Sequence, residues 1–125
     1  MQDVISTDAA PAAVGAYSQA VMTDDLVYTA GQLPMTADGE LLTDLSVAEQ
    51  TTQCLRNIEA IMTAADLSMA AVIKTTVFLA DIGTFEEFNT AYGAFFPEQP
   101  PARSAVEVGA VPKGAAVEIE AVATR

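Results

Sequence analysis

The sequence predicts an α+β domain: a mixed or antiparallel sheet with two helices packed on one of its faces. Three observations lead there. Runs of strand-like alternation and runs at helical spacing follow one another as strands, helix, strand, helix, strands. Two helix-start signatures, Ser46-Val47-Ala48-Glu49 and Thr84-Phe85-Glu86-Glu87, stand immediately before the two helical runs. Hydrophobic residues make up 51% of the 125, enough for the core of one ordinary domain, read as spanning residues 1–125.

Residues 1–10 read as a short strand or arm, followed by a loop at Pro11. Residues 17–22 and 26–30 are β-like runs separated by the polar turn Thr23-Asp24-Asp25, which makes them a hairpin. Gly31 follows directly. A glycine there either lets the backbone approach a ligand or merely marks the strand exit, and position alone does not separate the two. Asp38-Gly39 marks a tight turn. Beyond Ser46, the residues Val47, Thr51, Cys54, Leu55, Ile58, Ile61, Met62 and Ala65 recur at helical spacing. Glu49, Gln53, Arg56 and Glu59 fall off that stripe, so the helix runs to about Ala65. Residues 71–79 are rich in β-branched side chains and predict a central strand. Ile73, Thr75, Val77 and Leu79 share one face of it, and Val72, Lys74, Thr76 and Phe78 the other. The second helix carries Phe85, Phe88, Tyr92 and Phe95, and Pro97 ends it.

The chain then reads as two strands joined by the turn Val111-Pro112-Lys113-Gly114. The first alternates Ser104, Val106 and Val108 with Arg103, Ala105 and Glu107. The second alternates Val117, Ile119, Ala121 and Ala123 with Glu118 and Glu120. On this reading Arg103, Glu118 and Glu120 project from one side of the sheet, among Val72, Phe78, Ala105 and Val122. No further helix is left to cover that side, and a symmetric oligomer could cover it.

Composition narrows the function classes. Seventeen acidic and five basic residues give a net charge of −12. The cations Arg56, Lys74, Arg103, Lys113 and Arg125 are scattered, whereas a nucleic-acid footprint needs a clustered basic face. So large a charge keeps a protein soluble but opposes compaction, a balance met in halophiles, and a salt-rich cytoplasm fits it. No apolar run reaches the roughly 18 residues of a membrane span, and Lys74 interrupts the best candidate. Met1-Gln2-Asp3-Val4 has no cationic segment of the kind that opens a signal peptide, so a cytoplasmic placement without a membrane partner is expected. Cys54 is the single cysteine, which excludes an internal disulfide, and its helical position suits a small buried hydrophobe. There is no histidine, so histidine-based catalysis and histidine metal sites are excluded.

Several segments carry a resemblance. They are Ala10-Pro11-Ala12-Ala13-Val14-Gly15-Ala16-Tyr17-Ser18-Gln19, Thr29-Ala30-Gly31-Gln32-Leu33-Pro34, Val72-Ile73-Lys74-Thr75-Thr76-Val77-Phe78-Leu79, Phe88-Asn89-Thr90-Ala91-Tyr92, Pro101-Ala102-Arg103-Ser104-Ala105-Val106-Glu107-Val108 and Glu118-Ile119-Glu120-Ala121. In collinear order over nearly the whole chain, they resemble the RidA (YjgF) family of enamine/imine deaminases. The resemblance implies a chorismate-mutase-like fold assembled as a homotrimer, with sheets around a central axis and clefts between subunits. It implies hydrolysis of 2-enamine/2-imino acids, such as 2-aminoacrylate and 2-iminobutanoate, to 2-oxoacids and ammonia, with no metal or organic cofactor. The implied partners are a small 2-imino or 2-oxo acid and further copies of the chain.

The resemblance also assigns residues. Arg103 takes the position of the substrate-carboxylate arginine, a task that suits the fixed donor fork of a guanidinium. Glu118 matches a cleft carboxylate that orients or activates water, Tyr17 covers the cleft, Gly31 offers its backbone N–H, and Asn89 fixes a loop around the site. Each has a plainer reading from the residues alone. A lone arginine at a strand start is most often a surface residue, and two carboxylates on one strand face are usually solvated. Tyr17 could be a core aromatic and Asn89 a surface amide. Ala105 and Ala30 stand where many relatives have Cys and several have Ser, so neither that thiol nor that hydroxyl serves this chain. A non-catalytic regulatory trimer that binds a small carboxylate would use the same Arg103. A ribonuclease or translation inhibitor is disfavoured by the missing histidine and basic patch, and a chorismate mutase by the scattered cations.

Overall fold

In the computed structural model, which describes residues 3–125, strands β1 (Asp3–Ile5), β2 (Ala20–Met22) and β3 (Leu26–Thr29) come first. Helix α1 (Val47–Ala64), strand β4 (Val72–Leu79), helix α2 (Phe85–Gly93) and strands β5 (Ala102–Glu107) and β6 (Val117–Thr124) follow. The six strands form one sheet in the order β1-β2-β3-β6-β4-β5. All pairings are antiparallel except β4 with β5. Both helices lie on one face, where α1 packs against α2 and β6. The core there joins Cys54, Leu55, Ile58, Ile61 and Met62 of α1 to Val77, Leu79, Phe88, Val117 and Ile119. The α+β class, the alternation of elements and the two-helix layer are as the sequence predicts. Among the described residues no helix is long and apolar enough to cross a membrane.

The first helix start forms as expected. Ser46 Oγ accepts from the Glu49 N–H at 3.1 Å, and its hydroxyl donates to Glu49 Oε1 at 3.0 Å. The second does not. Thr84 makes no side-chain cap, and its hydroxyl donates instead to the Asp81 carbonyl at 2.7 Å. Asp81 takes over the capping by accepting from the Gly83 N–H at 2.8 Å, which shapes a short 3₁₀ turn leading into α2. Glu87 caps the other helix, accepting from the Ala48 N–H at 2.9 Å. Helix α2 also stops at Gly93, ahead of Pro97.

Two expectations about faces are overturned. The first concerns β4, which carries a bulge. Val72 pairs with Ala123 and Lys74 with Val122, so Ile73 is the extra residue. A bulge reverses the alternation on one side of itself. Val72 therefore joins the core at 5% exposure, and Ile73 faces outward at 45%.

The second concerns β5 and β6, which are not neighbours, because β4 lies between them. Residues 108–116 pass over the end of β4, where the Val108 N–H donates to the Leu79 carbonyl and the Ala80 N–H to the Ala116 carbonyl. Helix α2 is the crossover that lets β5 run parallel to β4. The register then sets the faces. Arg103 pairs with Thr75 and Thr75 with Ala121, so Arg103 lies in a helix-side row. Ala105 does likewise through Val77 and Ile119. Glu118 lies in the row Glu118–Phe78–Val106 and Glu120 in the row Glu120–Thr76–Ser104, both on the open face. Arg103 and the two glutamates thus project from opposite sides of the sheet, not from one.

The open face mixes apolar and polar rows. A row runs Val4–Val21–Tyr28–Val122 across four strands and continues to Lys74, and the polar row Glu120–Thr76–Ser104 separates it from Phe78 and Val106. Val4, Tyr28 and Val106 are exposed.

Candidate functional site

The residues singled out from the sequence fall into two groups on different parts of the chain. Arg103 and Asn89 form the first. Asn89 sits mid-way along α2, and its Oδ1 accepts from Arg103 Nη1 at 2.8 Å. The guanidinium carbon lies 4.8 Å from the ring centre of Tyr92, 5.3 Å from Phe85 and 5.6 Å from Phe88. One face of the cation is therefore covered by aromatic faces, which attract it without neutralising it. Asn89, Tyr92, Gly93, Phe96, Pro100 and Arg103 line an open cleft of about 400 Å³. The paired prolines ahead of β5 form part of its wall, and a guanidinium held by one neutral amide keeps further N–H donors for an anion. The helical spacing of Phe85, Phe88 and Tyr92 was readable as core packing. Their second use, as the bed of Arg103, follows from the parallel β4–β5 register.

Gly31, Glu118 and Tyr17 form the second group. The chain leaves β3 and pairs once more with β6: the Gln32 N–H donates to the Ile119 carbonyl at 2.7 Å, and the Ile119 N–H to the Gln32 carbonyl at 3.1 Å. Asn57 of α1, itself buried, holds the next residues by donating to the Leu33 and Met35 carbonyls at 3.1 and 2.9 Å. These contacts press Gly31 against the side chain of Glu118. A Cβ at Gly31 would stand 2.6 Å from Glu118 Oε2 and 2.9 Å from its Cδ. Gly31 is thus a close-approach glycine, and what approaches it is Glu118. The Glu118 carboxyl is half-buried. Burial, and secondarily the neighbouring charge of Glu120, push its pKa above the ordinary glutamate value.

Tyr17 is half-exposed, so it is not a core aromatic. Its hydroxyl accepts from the Val14 N–H at 3.3 Å across a turn in which Gly15 takes φ +126°. Tyr17, Gln19, Gly31, Gln32 and Lys113 line one small cleft. The buried Gln19 pins its wall, accepting from the Thr7 N–H at 2.7 Å and donating to the Pro11 carbonyl at 2.8 Å. Lys113 enters with φ +60°, a left-handed conformation unusual for a residue with a side chain. Neither Gln19 nor Lys113 stood out by residue type.

Ala30 donates its N–H to the Gln19 carbonyl at 2.8 Å, and Ala105 packs against the core on the helix side. Cys54 is fully buried, with its thiol 3.7 Å from the Val117 carbonyl, and burial pushes its pKa up. It is packing, not a nucleophile.

The family description Endoribonuclease L-PSP matches residues 7–125. The chain belongs to that family. This is also the family to which the RidA (YjgF) resemblance points. A RutC family protein of Sinorhizobium fredii is 49% identical over 123 residues, covering 98% of this chain and 97% of its own. The 2-iminobutanoate/2-iminopropanoate deaminase of Rattus norvegicus is 46% identical over 125 residues, covering all of this chain and 91% of the rat protein. Among solved structures, TdcF of E. coli with bound serine superposes with a TM-score of 0.93 at 39% identity, over 98% of both chains. Family members thus include proteins named as imine deaminases alongside members named otherwise.

Proposed function

We propose that this chain is a hydrolytic deaminase of reactive 2-enamine/2-imino acids, acting as a cytoplasmic homotrimer whose sites lie between subunits. The observation that carries the reading is the division of labour between two half-sites. One holds a cation fixed in place with donors to spare. The other holds a carboxyl in surroundings that disfavour its charge.

The chemistry follows from those two properties. Arg103 grips the substrate carboxylate and so fixes the adjacent C2. An enamine such as 2-aminoacrylate takes a proton at C3 and becomes the 2-iminium, whose C2 is electrophilic. Water, oriented by Glu118, adds to C2 and gives up a proton to the carboxylate. The carbinolamine then collapses. Glu118 returns its proton to nitrogen, and an oxygen lone pair forms the C=O bond as the C–N bond breaks and its electrons leave with ammonia. The hydroxyl proton passes to solvent, balancing the proton taken from solvent at C3. One water is consumed, and a 2-oxoacid and ammonia are released. A carboxyl with a raised pKa suits this exchange near neutral pH. Because the imine is already activated, positioning supplies much of the acceleration. Tyr17 covers the substrate, and Gly31, packed against Glu118, offers its backbone N–H.

Two further observations support the assembly. Arg103 and Glu118 lie on opposite faces of their own sheet, so a second copy is the direct way to bring one of each together. The exposed Val4, Tyr28 and Val106 lie on the open face that such a copy would cover. The rat deaminase and the serine-bound E. coli relative agree with a small amino- or imino-acid ligand.

The test generates 2-iminobutanoate from threonine with a dehydratase, adds a nucleophile that competes for free imine, and measures oxoacid release. Acceleration by the parent, lost in Glu118→Gln with oxoacid binding kept, is the expected result. Binding without acceleration would replace catalysis by sensing, and a 13.0 kDa monomer in light scattering would remove the assembly.

A further inference from the structure

Beneath Arg103 lies a polar pair that the chemistry above does not use. Thr75 Oγ1 and Tyr92 Oη are 2.6 Å apart. Both residues are buried, at 1% and 4% exposure. A valine and a phenylalanine would fill nearly the same space without two hydroxyls that depend on each other, and a buried hydroxyl is costly whenever its partner is missing. The pair does have a geometric consequence. Thr75 is the direct β4 neighbour of Arg103 in the β4–β5 register. The Tyr92 ring therefore reaches from α2 to the sheet, tied at its hydroxyl to Thr75, while its face lies 4.8 Å from the guanidinium carbon of Thr75's neighbour. Phe88 at 5.4 Å and Phe96 at 4.9 Å between ring centres hold the same ring from either side.

A guanidinium captures a carboxylate with two parallel hydrogen bonds only when its plane is correctly set. Asn89 fixes one end of the fork. A single hydrogen bond leaves rotation about its own axis, and an aromatic face beneath the cation removes that freedom. Ordering the side chain before the ligand arrives lowers what binding must expend in entropy.

We infer that Tyr92, anchored by Thr75, is a positioning residue that sets the plane of Arg103 for bidentate capture of the substrate carboxylate. The inference rests on the carboxylate-binding role of Arg103 proposed above. Tyr92 acts through Arg103 and does not touch the reacting carbon. Burial raises the pKa of its phenol, which keeps the hydroxyl protonated and the tie to Thr75 intact.

The experiment compares the parent with Thr75→Val, Thr75→Ser, Tyr92→Phe, Tyr92→Leu and Arg103→Ala. Three readouts are taken: the Arg103 Nε–H signal in NMR, the Kd for 2-oxobutanoate, and the split between KM and kcat. The NMR signal needs no ligand. The chain has three arginines, and ring currents from three nearby aromatics set Arg103 apart from Arg56 and Arg125. Tyr92→Leu should move that signal toward the other two and weaken oxobutanoate binding on the order of tenfold. Thr75→Val and Tyr92→Phe should each move it partway and weaken binding about threefold. In all of them KM should rise while kcat stays within about twofold. Thr75→Ser, which keeps the hydroxyl, should restore parent behaviour. Tyr92→Phe keeps the ring, so it replaces the leucine variant if that variant does not fold.

A parent that binds oxobutanoate, an Arg103→Ala that does not, and parent-like Kd and Arg103 signals in Thr75→Val and Tyr92→Phe would overturn this inference alone. A fall in kcat with KM unchanged would also overturn it. A parent that fails to bind the oxoacid, or an Arg103→Ala that binds as tightly as the parent, would remove the carboxylate reading and this inference with it.

Discussion

Arg103 and Glu118 carry opposite charges on strands separated only by β4, yet the fold holds them by opposite means. Arg103 lies on three aromatic faces and one neutral amide. Those contacts fix the cation but leave its charge for something else. Glu118 is pressed over a glycine beside another carboxylate, half-buried, where its charged form is disfavoured. One half thus leaves a charge in place, and the other disfavours one. In a deaminase of the proposed kind, the first property governs substrate capture and the second governs turnover.

The largest expected effect comes from removing the cation. Arg103→Ala loses a bidentate, charge-assisted pair worth about 1.5–3 kcal/mol or more, so kcat/KM should fall on the order of a hundredfold. Arg103→Lys should recover little, because a point charge lacks the fork. Steady-state kinetics with dehydratase-generated imine checks both, and a near-normal Arg103→Ala would place capture elsewhere.

Next is Gly31→Ala, which leaves every charge in place. The new methyl would stand 2.6 Å from Glu118 Oε2, so the carboxyl must move. Turnover should drop about tenfold while oxoacid binding stays close to that of the parent. Equal losses in binding and turnover would erase the distinction between the halves.

Smaller still is an effect on stability. The folded-state pKa of Glu118 lies above its ordinary value, so the protonated form is the one that folding favours. The parent therefore loses stability, relative to a permanently neutral side chain, as pH rises through that raised pKa. Glu118→Gln should unfold a few degrees higher than the parent at neutral pH, and the gap should close as pH falls to about 4, where unfolded glutamate also protonates. Thermal scans at several pH values measure this, and a gap that widens toward acid would reverse the sign of the argument.

The smallest expected effect concerns the background field. Three chains at −12 each make about −36 in the proposed trimer. The Debye length shrinks from about 10 Å at 0.1 M salt to about 3 Å at 1 M. The unfolding midpoint should therefore rise with salt, and a flat midpoint would show that repulsion is already relieved.

The class and order of elements were legible because their signals are local: alternation in residues 71–79, the stripe from Val47 to Ala65, and the Ser46 cap. What escaped was non-local. Nothing in residues 101–124 says that β4 lies between the last two strands, so Arg103 and Glu118 were expected on one face. The Ile73 bulge depends on where residues 121–124 pair. Glu87 has the spacing of a cap for its own helix, but it serves α1 because α2 packs beside it. The candidate site residues Arg103, Asn89, Glu118, Gly31 and Tyr17 were named from the sequence. Their grouping into two half-sites required the register, as did the support from Tyr92, Thr75 and Gln19.

The central place of β6 bears on how the chain folds. β1 to β3 form a local meander, and β4, α2 and β5 a local crossover unit. Each can assemble from residues near in sequence. β6 joins them only through distant pairings such as Leu26 with Thr124 and Val77 with Ile119. Such closures are slow. Until β6 inserts, the inner edges of β3 and β4 are both unpaired, and open strand edges are templates for another chain. Refolding yield should therefore fall as chain concentration rises, with the loss set by a race between β6 of the same molecule and a strand from a neighbour.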